Sequence, residues 1–136
     1  MFRNVLVPVD LADRHERVLD AAAHLLEPGG SILLLHVIEL IPGLSLEEER
    51  AFYERLERTA RRHLADLGDR LDERRISWRA EVLFGARAVE VVRFVVDDET
   101  DLVVLASHPL EPDKPVRGAL SYQVGLLAPC PVLLIK

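Results

Sequence analysis

Short apolar runs alternate with stretches of helical period along nearly the whole chain, and that alternation admits few folds. Val5-Leu-Val-Pro-Val9, Ser31-Ile-Leu-Leu-Leu-His-Val37 and Leu102-Val-Val-Leu-Ala106 are apolar at both alternating sets of positions, as in strands covered on both faces. The segment from Arg14 to Glu27 carries Val18, Leu19, Ala22, Leu25 and Leu26 at helical spacing, and Pro28-Gly-Gly30 is expected to stop it. Ser45-Leu-Glu-Glu48 has the form of a capping box and predicts a helix from there to about Glu73. Its apolar face would hold Phe52, Leu56, Ala60, Leu64, Leu67 and Leu71. A third helix follows Gly85 and bears Val89, Val92 and Val96; a fourth runs from Gly118 to Leu127, ahead of a last strand, Val132 to Ile135. Ser77-Trp-Arg-Ala-Glu-Val82 alternates strictly between apolar and polar, which suits a half-exposed strand at a sheet edge.

The order is βαβαβαβαβ, which calls for an α/β fold with a doubly wound, five-stranded parallel sheet and helices on both faces, Rossmann-like. Placing the polar third strand at an edge and the apolar ones inside gives the order 3-2-1-4-5. The switch point then lies between strands one and four, where ligands sit at carboxyl ends. Asp10 and Ser107-His108 occupy those ends. Pro8 has no backbone donor, so pairing of strand one is expected to end there, facing the crevice. Strand five, with Val132, Leu133, Leu134 and Ile135, would form the opposite edge with no charge to guard it. Such an edge is normally covered, and a second copy pairing antiparallel through it is the simplest cover. A homodimer is therefore expected.

At 136 residues the chain is read as one domain, 1–136. A net charge of −6 argues against general nucleic-acid binding. No apolar run is long enough to span a bilayer, and Met1-Phe-Arg-Asn leads into strand one without a cleavage site, so neither membrane insertion nor a secretory signal is expected. The one cysteine, Cys130, has no internal partner. These features together predict a cytoplasmic protein.

Five segments, in this order and spacing, carry a resemblance. They are Val5-Leu-Val-Pro-Val-Asp10, Leu34-Leu-His-Val37, Gly85 ahead of the third helix, Asp101-Leu-Val-Val-Leu-Ala-Ser-His108, and Ala128-Pro-Cys-Pro-Val132. Over essentially its full length the chain resembles the universal stress protein family. That resemblance implies the 3-2-1-4-5 sheet, dimerisation through the last strand, and a division between members that bind ATP and members that do not. It also implies that Asp10 sits beside a nucleoside and that the Val37 backbone meets adenine.

ATP-binding members resemble one another in a G-x2-G-x9-G-[S/T] pattern after the fourth strand. Here Ala106 and Pro109 stand at the first two glycine positions, Gly118 at the third and Ala119 at the hydroxyl position, and the second gap is one residue short. Proline at 109 removes a donor and fixes φ, and Ala119 lacks a hydroxyl for a phosphate oxygen. Alanine at 106 adds a Cβ where the backbone should approach closely. The amides at the start of the last helix (Gly118, Ala119, Leu120) and Arg117 remain. The base end of the site thus matches the family, while the phosphate end is eroded.

Other residues admit plainer readings. Asp10 either faces a ligand or caps the helix near Arg14, a role for which Asp13 competes. His36, in an apolar strand, reads as a core histidine with its hydrogen bonds satisfied. His108 is a better candidate for a polar contact, but Ser107-His108 does not assemble a catalytic set. His15, His24 and His63 lie on helices without metal-ligand spacing. The arginines and glutamates of the long helix read as a solvated face, and Cys130 as packing. The expected function is a regulatory or protective module, not a catalyst, with no cofactor and weak or no ATP binding, and with room for an unidentified protein partner. The alternative is a switch or slow ATPase holding AMP or ATP with Mg²⁺. An adenylate-forming or electron-transfer enzyme is a third class, for which the chain supplies no catalytic set.

Overall fold

The computed structural model describes residues 1–11, 15–107, 112, 113, 115 and 119–136. In chain order the elements are β1 (Phe2–Pro8), α1 (Glu16–Leu25), β2 (Leu26–Ile38), α2 (Arg50–Glu73) and β3 (Ser77–Phe84). They continue as α3 (Arg87–Asp97), β4 (Leu102–Ala106), α4 (Leu120–Leu127) and β5 (Val132–Ile135). The five strands form one sheet, ordered β3-β2-β1-β4-β5, with every neighbouring pair parallel.

Alternation along the inner strands sorts the core into two layers. Val5, Val7, Ile32, Leu34, Leu102 and Val104 turn to α1 and α2, against Val18, Leu19, Leu64 and Leu71. Leu6, Leu33, Leu35, Val103 and Leu105 turn to α3 and α4, against Val91, Val95 and Val124. Strands apolar on both faces thus carry helices on both faces, and β3, with Ser77 and Arg79 exposed, is an edge as its pattern predicts.

Several boundaries depart from the sequence reading. The Pro28-Gly-Gly30 segment does not stand between α1 and the second strand; it lies inside β2, which begins at Leu26. The partners of β1 jump from Leu26 opposite Phe2 to Ser31 opposite Asn4, an irregularity that absorbs the extra residues. Gly29 sits there at φ 85°, and a Cβ on Gly30 would come within 2.8 Å of the Arg3 carbonyl oxygen. Helix α1 correspondingly stops at Leu25, while Arg14 and Asp13 lie outside the described residues. In the Ser45 turn the Oγ accepts the Glu48 N–H at 3.0 Å, yet the continuous helix starts at Arg50.

Two helix faces also differ. Tyr53, 1% exposed, joins the buried face of α2 beside Ala60, Leu64, Leu67 and Leu71. Its hydroxyl accepts the Ile41 N–H at 2.9 Å and donates to the Leu44 carbonyl at 2.6 Å, tying down the loop before α2. Helix α3 buries Val91 and Val95, leaving Val89 and Val96 exposed. Apolar residues lie on both sides of this helix, so periodicity alone does not choose the face. Glu57 and Arg61 form one of the expected i,i+4 pairs on the solvated side of α2.

Candidate functional site

Strand β1 pairs with β4 only at Val5–Leu102 and Leu6–Val103. On its other side it stays paired with β2 as far as Pro8–Leu35, and the Val9 N–H donates to the Leu35 carbonyl at 2.8 Å. The carboxyl ends of β1 and β4 therefore part, and a cavity of about 680 Å³ opens there, at the switch point the strand order implies.

Of the residues singled out from the sequence, Pro8, Asp10, Val37, Ala119 and Leu120 line this cavity. Ala106, the residue set against the first glycine of the family pattern, lines it too. The next residue, Ser107, donates its N–H to the Ile135 carbonyl at 2.8 Å, so that amide is committed to β5. Ala119 precedes α4 in extended conformation (φ −73°, ψ 134°) and provides no side-chain cap. His108, Pro109, Arg117 and Gly118 lie outside the described residues. The four residues named for a dimer contact form β5 at the sheet edge, with Leu134 exposed.

The polar lining extends beyond the sequence candidates. His36 is not sealed in the core: it is half-buried and lines the cavity. Its Nδ1 lies 2.7 Å from the Val9 carbonyl oxygen, so this nitrogen carries the proton and donates, leaving Nε2 an acceptor in the neutral ring. His15, only 3% exposed, places Nε2 3.6 Å from Asp10 Oδ1, and its ring meets that of His63 edge-on with centroids 5.7 Å apart. These two histidines, distant in sequence, are neighbours in space. The described residues hold no cluster of three or more His, Cys, Asp or Glu side chains placed to bind a metal.

At the lip of the cavity Arg87, in the first turn of α3, donates from Nε to Glu39 Oε1 at 3.2 Å. Gly85 makes that meeting possible: it turns at φ 153° while its N–H donates to the Ile38 carbonyl at 3.0 Å. The sequence reading passed over this pair because its partners are 48 residues apart and each looks like an ordinary surface charge.

The whole chain, residues 1–136, matches the model of the universal stress protein family. The chain belongs to the universal stress protein family. It is 26% identical to universal stress protein YxiE of Bacillus subtilis over 153 residues, covering all of both chains. Among solved structures it is similar to universal stress protein UspA from Lactobacillus plantarum, with a TM-score of 0.78 and 20% identity over 99% of this chain and 98% of that one. It is similar also to a universal stress protein family member from Arabidopsis thaliana with AMP bound, with a TM-score of 0.72 and 22% identity over 98% and 91% of the two chains. The fold is thus related to nucleotide-binding structures. Among the described residues no helix is long and apolar enough to cross a membrane.

Proposed function

We propose that this universal stress protein is a regulatory or protective homodimer whose cleft takes a purine nucleoside or monophosphate weakly and a triphosphate poorly or not at all. The observation that carries this reading is the Ser107 amide. It is the first donor after β4, where a phosphate-binding loop would begin, and it is bonded to β5. Ala119 offers no hydroxyl at the start of α4, and Ala106 presents a Cβ to the cleft. Each missing contact to a charged oxygen is worth about 1.5–3 kcal/mol, so losing two or three moves a micromolar affinity to millimolar. The base end keeps its groups: Asp10 and Val37 both line the cavity. The lone cysteine, which has no internal disulfide partner, supports a cytoplasmic setting.

Dimerisation is proposed through β5, whose outer edge has no neighbour within the sheet. A second reading, an AMP- or ATP-dependent switch with Mg²⁺, is favoured by the AMP-bound relative and by the intact base end. Extraction and chromatography of the purified protein separate the two. The proposal expects no stoichiometric nucleotide; ATP carried through purification overturns it.

A further inference from the structure

Resting on the reading that the cleft holds a nucleoside, we propose that His15 is a positioning residue for Asp10 that takes up a proton when the ligand binds, so that nucleoside affinity rises as pH falls. Three titratable groups from three parts of the chain meet at the cleft. Asp10, just past the end of β1, lines the cavity with its side chain 38% exposed. Next to it His15, at the start of α1, is 3% exposed and sets Nε2 3.6 Å from Asp10 Oδ1. His63 of α2 meets the His15 ring edge-on, and its Nε2 is buried with no hydrogen-bond partner among the described residues.

Ligand binding changes the surroundings of the two partners unequally. His15 gives up its water on folding, so the cost of charging its buried ring is the same with and without ligand. Asp10 keeps part of its surface in water, and a nucleoside seated against it displaces that water. The attraction between the carboxylate and an imidazolium 3.6 Å away then strengthens, because less solvent screens it. The imidazolium also offsets the cost of covering the carboxylate charge. Both effects favour the protonated ring in the complex. By reciprocity, a ligand that tightens the hold on a proton is itself held more tightly where that proton is bound. Affinity is therefore highest below the histidine range and declines through it as pH rises.

The other ionisable groups nearby are engaged elsewhere or oppose a second charge. The His15 and His63 centroids lie 5.7 Å apart, so a charge on one ring disfavours a charge on the other, and it is His15 that stands beside Asp10. His36, from β2, already donates from Nδ1 to the Val9 carbonyl oxygen. Glu39 and Arg87 pair with each other at the lip, and Glu16, next to His15 on α1, is exposed and paired with Arg70.

NMR titration of the full chain with adenosine at about pH 6 and about pH 8 tests this, since imidazole titrates between those values and adenosine carries no charge there. Binding should be about fivefold tighter at the lower pH, the lower end of the usual coupling between two sites, and adenosine should move the His15 ring titration to higher pH. In Asp10→Asn, a change at a partly exposed position, the His15 ring should titrate at lower pH even without ligand. Affinity should become the same at both pH values in Asp10→Asn and in His15→Gln. His63→Phe, which keeps a ring edge-on to His15, should retain the dependence. Equal affinity at the two pH values in the native protein, tighter binding at the higher one, a dependence lost in His63→Phe, or a His15 titration indifferent to both adenosine and Asp10→Asn overturns the inference alone. No adenosine binding at either pH at millimolar concentration overturns it together with the nucleoside reading.

Discussion

Ser107 and Ile135 are joined through the backbone: the Ser107 N–H donates to the Ile135 carbonyl at 2.8 Å, fastening the residue after β4 to the end of β5. The bond sets what can be restored at the phosphate end. Removing the Cβ at position 106 does not release the amide at 107, so Ala106→Gly should change ATP affinity by less than about twofold. Ala119→Ser instead adds a hydroxyl beside the first turn of α4 and should tighten ATP binding by about tenfold or more, from the roughly 1.5 kcal/mol lower end for one hydrogen bond to a charged oxygen. Calorimetry on the two variants checks the contrast; equal gains from both would contradict it.

Gly68 lies against Trp78, and a Cβ built on it would overlap the indole ring. Alanine within a helix ordinarily gains about 0.5–1 kcal/mol over glycine, but overpacking costs about 1–3 kcal/mol, so the clash should win. Gly68→Ala should lower the melting temperature by several degrees and disturb the bond from Trp78 Nε1 to Asp72 Oδ1, 2.8 Å in the native protein. Thermal unfolding followed by tryptophan fluorescence reads both effects. A higher melting temperature would show that the ring moves aside freely.

Tyr53→Phe keeps the ring and removes the hydroxyl that serves Ile41 and Leu44. Losing these two part-buried hydrogen bonds costs about 1–2 kcal/mol. Denaturant unfolding should show that loss, with faster hydrogen exchange at the Ile41 amide. Unchanged exchange would mean that the loop before α2 is held by other contacts.

The Cys130 thiol is pushed above its ordinary range by burial first and by the Asp101 carboxylate second. In the unfolded chain the thiol ionises near pH 8.5. The native state keeps its proton at higher pH than the unfolded state, so Cys130 favours folding below that pH and loses this contribution as pH rises through the unfolded and then the folded value. Stability by urea unfolding should fall on going from neutral to alkaline pH, and Cys130→Ser should reduce the slope. A slope identical in the two proteins would remove the thiol as its source.

For the dimer, Leu134→Lys places a charge on the exposed part of β5. The native protein should sediment as a dimer at micromolar concentration and the variant as a monomer. A monomeric native protein removes the proposed assembly.

The strand order and the position of the cleft were legible in the sequence because they follow from which strands are apolar on both faces and from the βα alternation. Ser77–Val82 announced an edge, and Val5–Val9 a central strand. What stayed hidden depended on three-dimensional closure. The Pro28-Gly-Gly30 signal marks a break in local geometry, and only pairing with Phe2 and Asn4 makes it part of a strand. Helix α3 has valines on both sides, so the face carrying Val91 and Val95 is chosen by the sheet beneath it. At the site, Asp10 was found because it follows strand one at the switch point, and Val37 because the family resemblance implies it. Glu39 and Arg87 meet only through the Gly85 turn, and His15 and His63 only through the packing of α1 on α2, neither of which local spacing encodes.

The central claim, a cleft with its base end kept and its phosphate grip lost, is tested most directly by titrating ATP and AMP into the native protein side by side. The account predicts millimolar affinity for both, with the two extra phosphates of ATP adding less than about tenfold. ATP binding in the micromolar range or tighter, well ahead of AMP, would contradict it.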